Sequence, residues 1–366
     1  MSQGPKPNPH PTQVVMPEKK QWFRIGIAVV ATLVSFGLQL TSMTVLTFII
    51  TAGTLALLAT LVGDGTDQIG ARLGPGATGV LQSALGNLPE LFTGIFLLRQ
   101  GLVHVLQAAL IGSVLGNSLL VLGLAFLWGG LRNGTQMFNP ETPRNIATLT
   151  LLAVSALAIP TLAAQLHTKA AAHEEALAVI CAIVLLVVFV SSIPFSLKGG
   201  PTGVSGEKAE GVWPVGLAIA VLLGASVGAA FVSDWFVSSL TPATNALHIS
   251  QEFTGLVIVA IAGNAVENVV GVQLMLRNRP DYAISVILNS SLQVALALIP
   301  VLVLLSFVIG APTHLTLVLS PLLLGSMLLA TLLGALVVYD GESTWLEGIA
   351  LIGLYLIIAA GFWWGL

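Results

Sequence analysis

Glu90 and Glu267 each close a short motif opened by a glycine and an asparagine: "GNLPE" from Gly86 and "GNAVE" from Gly263. Both motifs lie inside long apolar runs, where an ionisable side chain costs about 3 kcal/mol at the bilayer centre on insertion scales. Such a group persists where it faces the protein interior and has a partner. The three-residue step from Asn87 to Glu90, and from Asn264 to Glu267, sets an amide and a carboxylate on one helical face. Gly86 and Gly263 permit close backbone approach or local unwinding, and Pro89 weakens helical bonding further.

Two carboxylates, two amide oxygens and freed carbonyls make an all-oxygen donor set that suits a hard divalent cation. Calcium accepts about six to eight oxygens in flexible geometry. In an empty site the two acids repel each other and favour a proton, whereas a bound divalent cation drives protons off. Metal and proton then compete for Glu90 and Glu267, and competition becomes exchange if only loaded states switch sides. The alternative for the same residues is a polar cluster that glues two helices together.

Further candidates surround this pair. Ser113 and Ser290 stand on the segments that follow the two glutamates, where they ligate or orient the carboxylates or serve as small packing residues. Gln107, Asn117 and Gln293 are candidates to line an ion path, or are packed amides. Asp64, Asp67 and Asp234 fall near span ends, where acids concentrate cations at a mouth or simply sit in headgroup water.

The elements that must position these groups follow from composition. Of 366 residues, 55% are hydrophobic and 8% charged, with a mean hydropathy of +0.95. Soluble domains average about 25% charged residues, so the chain reads as an all-α polytopic membrane protein. Apolar runs place eleven spans near 22–40, 43–68, 77–98, 102–130, 146–165, 173–196, 212–238, 250–276, 281–309, 315–338 and 345–365. A polar tail, 1–21, precedes them and reads as disordered and cytoplasmic. With that orientation, eleven Lys and Arg fall in inside segments against two outside, Arg99 and Lys169. The C-terminus is then outside, in the cell (inner) membrane.

The chain also repeats. Gly86, Asn87, Glu90, Gly94 and Ser113 match Gly263, Asn264, Glu267, Gly271 and Ser290, each pair 177 residues apart. The copies sit on the third and eighth spans. Five spans apart means opposite directions, so two inverted five-helix repeats, 43–196 and 212–366, are joined by a glycine-rich cytoplasmic linker, 197–211. The first span, 22–40, is an added helix. Folds of this kind bind their substrate near the midplane, where the repeats meet.

Other classes fit less well. No HExxH, phosphate loop or nucleophile–base spacing suggests an enzyme. Thirteen Lys and Arg offer no basic patch for nucleic acid. Cys181, the single cysteine, can form no internal disulfide. A passive channel would also want acids in a pore, but gains symmetry from subunits rather than from one chain.

The paired "GNLPEL" and "GNAVEN" motifs, with "GSVLGN" and "NSSLQ" after them, resemble the cation/proton exchanger family of the calcium/cation antiporter superfamily. The resemblance runs from about residue 45 to 310. It takes in Thr66 and Asp67 before the first motif and Asp234 before the second. It implies that Glu90 and Glu267 are the cation and proton carboxylates with Asn87 and Asn264 beside them. It also implies a ten-helix core, no bound cofactor beyond the transported Ca²⁺ and H⁺, and a homo-oligomer. Asn268 departs from a histidine common in the family, and Asp67 and Asp234 from its usual glutamates. Sodium/calcium exchangers usually carry threonine where Asn87 and Asn264 stand, which favours protons as counter-ion and keeps sodium as the alternative.

Overall fold

The computed structural model of the chain describes residues 14–73, 85–199 and 212–364, without the side chains of 73, 194–199, 266 and 267. Among the described residues the main helices are α1 Lys19–Gln39, α2 Thr44–Leu73, α3 Leu88–Arg99, α4 Val103–Asn133, α5 Glu141–Gln165, α6 Glu174–Gly199, α7 Val215–Leu247, α8 Gln251–Gly263, α9 Ala265–Leu276, α10 Pro280–Val308, α11 Pro321–Val337 and α12 Trp345–Trp363. Among the described residues the only named strands are a two-residue pair, β1 Gln136–Met137 and β2 Glu342–Ser343.

Eight of these helices are long and apolar enough to cross a membrane, or nine if α8 and α9, bent by 62°, form one span. Of the expected spans, 77–98 begins outside the described residues and continues as α3, and 315–338 contains the shorter, 17-residue α11. Most of the 197–211 linker also lies outside them. Burial sorts the helices into shells. The apolar window of α4 is 83% buried, so α4 forms the centre, whereas that of α1 is 11% buried and lies on the perimeter. Inside, Phe48 and Phe236 stack at 5.0 Å between α2 and α7. Gly112 faces the Leu256 carbonyl and Gly255 the Val105 carbonyl so closely that a Cβ would meet them at 2.2 and 2.4 Å. Only glycine admits that crossing of α4 and α8.

Two ends can be told apart by their contacts. At the first, Arg24 pairs with Asp64 (3.1 Å), Arg72 donates to the Trp213 carbonyl, and Val15 N–H bonds Val212. There Asn139 N–H also donates to Asp281, and Arg144 lies 4.1 Å over the Tyr339 ring. At the second end, Gln100 donates to Ser238, His314 meets Glu175 at 2.8 Å, and Phe253 packs edge-on against Trp363.

Two departures from the expected spans have local causes. The helix expected to stop at 238 continues as α7 to Leu247 through Pro242, closed by His248 at φ 54°. The hydroxyls of Ser239 and Thr244 in its polar tail are satisfied within the helix, by the carbonyls of Phe236 and Thr241. Before α11 the chain is extended instead of helical, with Leu315, Leu317 and Leu319 buried in alternation. Its backbone is satisfied by side chains. Gln107 donates to the carbonyls of Thr316 and Val318, Thr161 bonds Leu317 and Leu319, and Ser306 accepts from Leu315.

Candidate cation-binding site

The glycine–asparagine motifs break their helices. Asn264, between α8 and α9, has φ −92° and ψ 24°; Asn87, just before α3, has φ −90° and ψ 14°. The same sequence thus gives the same interruption twice. Pro89 falls in the first turn of α3, where its missing N–H would have no helical partner anyway. It marks a restart more than it weakens a helix.

At the second break the chain presses on the first glutamate. A Cβ on Gly263 would stand 2.5 Å from Glu90 Cγ, so a bare backbone is required there. From the next residue, Asn264 Nδ2 reaches Glu90 Oε1 (2.7 Å), Ser113 Oγ (2.9 Å) and the Ala260 carbonyl (2.9 Å). Three acceptors share two N–H groups. Ser113 also donates to Glu90 Oε1 at 2.9 Å. Asn117 Nδ2 donates to Asn264 Oδ1 (3.0 Å) and Ser290 Oγ (2.9 Å), and Ser290 donates to Asn264 Oδ1 (3.3 Å). At the first break Asn87 donates to Gln293 Oε1 at 3.3 Å.

One cluster therefore gathers Glu90, Asn264, Ser113, Asn117 and Ser290, with Asn87 and Gln293 as a second pair. Asn117 Oδ1 is buried without a hydrogen-bond partner, an orphaned acceptor one residue from this cluster's other oxygens. Such an oxygen is costly unless something cationic or protic meets it. Both Asn117 and Gln293 lie at wide, π-type turns, Gly116–Val121 in α4 and Val294–Leu298 in α10. Turns of this kind are frequent at functional sites. No residue type announces them in the sequence, although their ends, Val121 and Leu298, fall 177 apart. A crevice starts at Glu90 and Ser113 and runs past Thr93 and Gly94 to Leu97 and Leu106. Those leucines, near the end of α3 and the start of α4, are fully buried, so the cavity, about 20 Å³, is closed toward the second end.

Other expected residues are placed elsewhere. Gln107 is no lining residue of this crevice: its amide is taken up by the Thr316 and Val318 carbonyls. Asp64 is not a free mouth acid, because the Arg24 guanidinium of α1 compensates its charge. Asp67 is exposed near the end of α2. Asp234 is half-buried inside α7 instead of at a helix end, since the helix runs on to Leu247. The Glu267 carboxylate lies outside the described side chains; its backbone belongs to the first turn of α9. Among the described residues no three His, Cys, Asp or Glu side chains form a metal cluster. The described donors around Glu90 are amides and hydroxyls. Arg24, Thr93 and Ser233 carry no signal in their residue type: an arginine near a span start reads as a flank, and hydroxyls in helices read as packing.

A family model described as sodium/calcium exchanger protein matches residues 43–198 and 217–364. A Ca(2+)/H(+) antiporter of Synechocystis sp. is 34% identical over 86% of this chain and 90% of its own length. The Ca(2+)/H(+) antiporter ChaA of Bacillus subtilis is 32% identical over 84% of this chain and 89% of its own. The solved structure of native YfkE superposes with a TM-score of 0.79 at 30% identity, over 93% of this chain and 99% of that one.

Proposed function

Since the chain belongs to the sodium/calcium exchanger protein family, as a multi-pass integral membrane protein, we propose that it is a secondary antiporter exchanging calcium for protons. The observation that carries the reading is the reach of Asn264, from one motif, onto Glu90, from the other. Substrate oxygen ligands come from both halves, and the orphaned Asn117 oxygen, on a side chain bonded to Asn264, suits a cation. Glu90 and Glu267 bind Ca²⁺ and H⁺ in turn. Asn87, Asn264, Gly86 and Gly263 shape the two breaks, and Ser113, Ser290, Asn117 and Gln293 hold them.

Two inverted five-helix repeats around this point, plus α1 as an added helix, make eleven crossings of the bilayer. What supports that count is the alternation of contacts between the two ends along the chain. Arg72 lies at the first end, Gln100 at the second, Gln136 at the first, Glu175 at the second and Val212 at the first again. Positive charge supports orientation: the first end holds Lys19, Lys20, Arg24, Arg72, Arg132, Arg144, Arg277 and Arg279, and is cytoplasmic. The 43–196 and 212–366 halves, the 197–211 linker, a cell-membrane location and homo-oligomeric assembly belong to the same reading.

In chemical terms, a proton on Glu90 removes the charge that calcium needs, and calcium excludes the proton. Lower pH on the calcium side therefore weakens calcium binding, and a proton gradient drives uptake against it. Flux in proteoliposomes, with calcium, sodium and pH gradients varied independently, tests this. Glu90→Gln and Glu267→Gln should each abolish proton-driven calcium flux while the protein stays folded. Near-normal flux in either variant overturns the site. Exchange driven by sodium alone replaces protons with sodium as counter-ion, and calcium flux needing no opposing gradient means a channel.

A further inference from the structure

A groove of about 500 Å³ separates α2 from the bend between α8 and α9. Small residues hollow it on the α2 side, Gly53 and Ala56 among them, and a Cβ on Gly53 would meet nothing within 4 Å. Ile261, Ala265, Asn268 and Val269 stand on the other wall. Asn268 is the one polar side chain of the lining; every other lining residue is aliphatic or glycine. Ile261 and Val269 are 40% and 49% exposed, so the groove is continuous with the outer, lipid-facing surface of the protein. Inward it ends against the second motif, since Ala265 directly follows Asn264.

Both walls belong to membrane-crossing segments, α2 and the bent pair α8–α9. Gly53 stands about 14 Å along α2 from Thr44, well inside the hydrocarbon. Water has no place in a lining with a single amide, because it needs two to four polar partners. The repeated sequence shows why a void opens at this motif. Moved by 177 positions, Ala265, Asn268 and Val269 fall on Leu88, Leu91 and Phe92. Leu91 and Phe92 pack against the core. The first motif is filled by its own large side chains, whereas the second carries smaller ones beside open space.

We infer that the groove is a binding site for one acyl chain of a membrane lipid, which completes the packing of the second motif from outside the polypeptide. No hydrophobic force draws a chain from hydrocarbon into such a site; dispersion contacts with close walls do, and an empty groove forfeits them. The volume and apolar lining are those of small-ligand sites in general. An acyl chain offers the Asn268 amide no hydrogen bond, so that residue weakens the site. The inference depends on the membrane-spanning fold and not on which ions are exchanged.

The test is photo-crosslinking of full-length protein in phosphatidylcholine vesicles that contain a tracer phosphatidylcholine with a diazirine on one chain. Peptide mapping by mass spectrometry should find adducts on 53–56 and 261–269 in excess of those on the exposed face of α6, 180–190. Gly53→Leu and Ala56→Phe, which fill the groove from within, should each abolish that excess and leave α6 labelling unchanged. Gly53→Leu has room for its side chain and replaces glycine by a better helix former, so it keeps the fold. Asn268→Leu should raise the excess by about fivefold, by removing an unsatisfied amide. Equal labelling of groove and α6, or an excess that survives both filling variants, overturns the site. An excess lost in Asn268→Leu means a polar ligand held by that amide and overturns the acyl chain as occupant. Disulfide-linked dimers through Ala56→Cys in a Cys181→Ser background, with no lipid excess, assign the groove to a second copy and overturn it likewise. Failure of the exchange reading shows separately, as near-normal flux in Glu90→Gln.

Discussion

The two helix breaks share a sequence and a backbone conformation but not an environment. Asn264 is held by five neighbours, among them the Glu90 carboxylate, whereas Asn87 has a single 3.3 Å bond to the Gln293 amide. The cause is visible one turn beyond the paired serines. Asn117 follows Ser113 by four residues, and its counterpart after Ser290 is Val294. An amide in one half and an isopropyl group in the other leave one break wired into the polar centre and the other beside it. A repeat in sequence thus need not give a symmetric site.

That contrast can be broken directly. Asn264→Ala removes donors from a carboxylate and a serine. Bonds to charged groups are worth about 1.5–3 kcal/mol, so calcium affinity in flux assays should fall by about 10- to 100-fold. Asn87→Ala removes one neutral bond, and a loss of about fivefold is expected. Equal losses would mean that the breaks are functionally equivalent despite their contacts. Val294→Asn sharpens the contrast by supplying the missing amide. A further oxygen should tighten calcium binding by about fivefold, and inhibition of calcium uptake by added sodium, which gains a ligand too, reports whether selectivity suffers. The smallest effect on transport belongs to Gln107→Ala. It leaves two buried carbonyls without donors, so thermal unfolding in detergent should show a loss of about 1–2 kcal/mol with unchanged calcium affinity.

The helix boundaries and the cluster differ in how far residue types reveal them. Long apolar runs mark α2, α4 and α10 to within a few residues, because nothing but a helix satisfies such backbone in hydrocarbon. Asn264 and Glu90 are legible because a polar pair at one helical spacing, repeated in register, has few other uses. Gln107 is not, since an amide on an apolar helix looks the same whether it faces an ion path or an extended strap. Asp64 is misleading for a similar reason: its partner Arg24 belongs to another helix, and no spacing rule joins them. The wide turns at Gly116–Val121 and Val294–Leu298 depend on packing around them, not on any residue of their own.

The extended stretch Leu315–Leu319 has a mechanical consequence. Side chains of α4, α5 and α10 all grip its peptide groups, through Gln107, Thr161 and Ser306. Peptide bonds anchored this way in hydrocarbon cannot slip past one another without stranding several dipoles at once. This extended backbone is therefore a rivet: three helices must ride through the cycle as one chassis, and whatever swings must hang outside it.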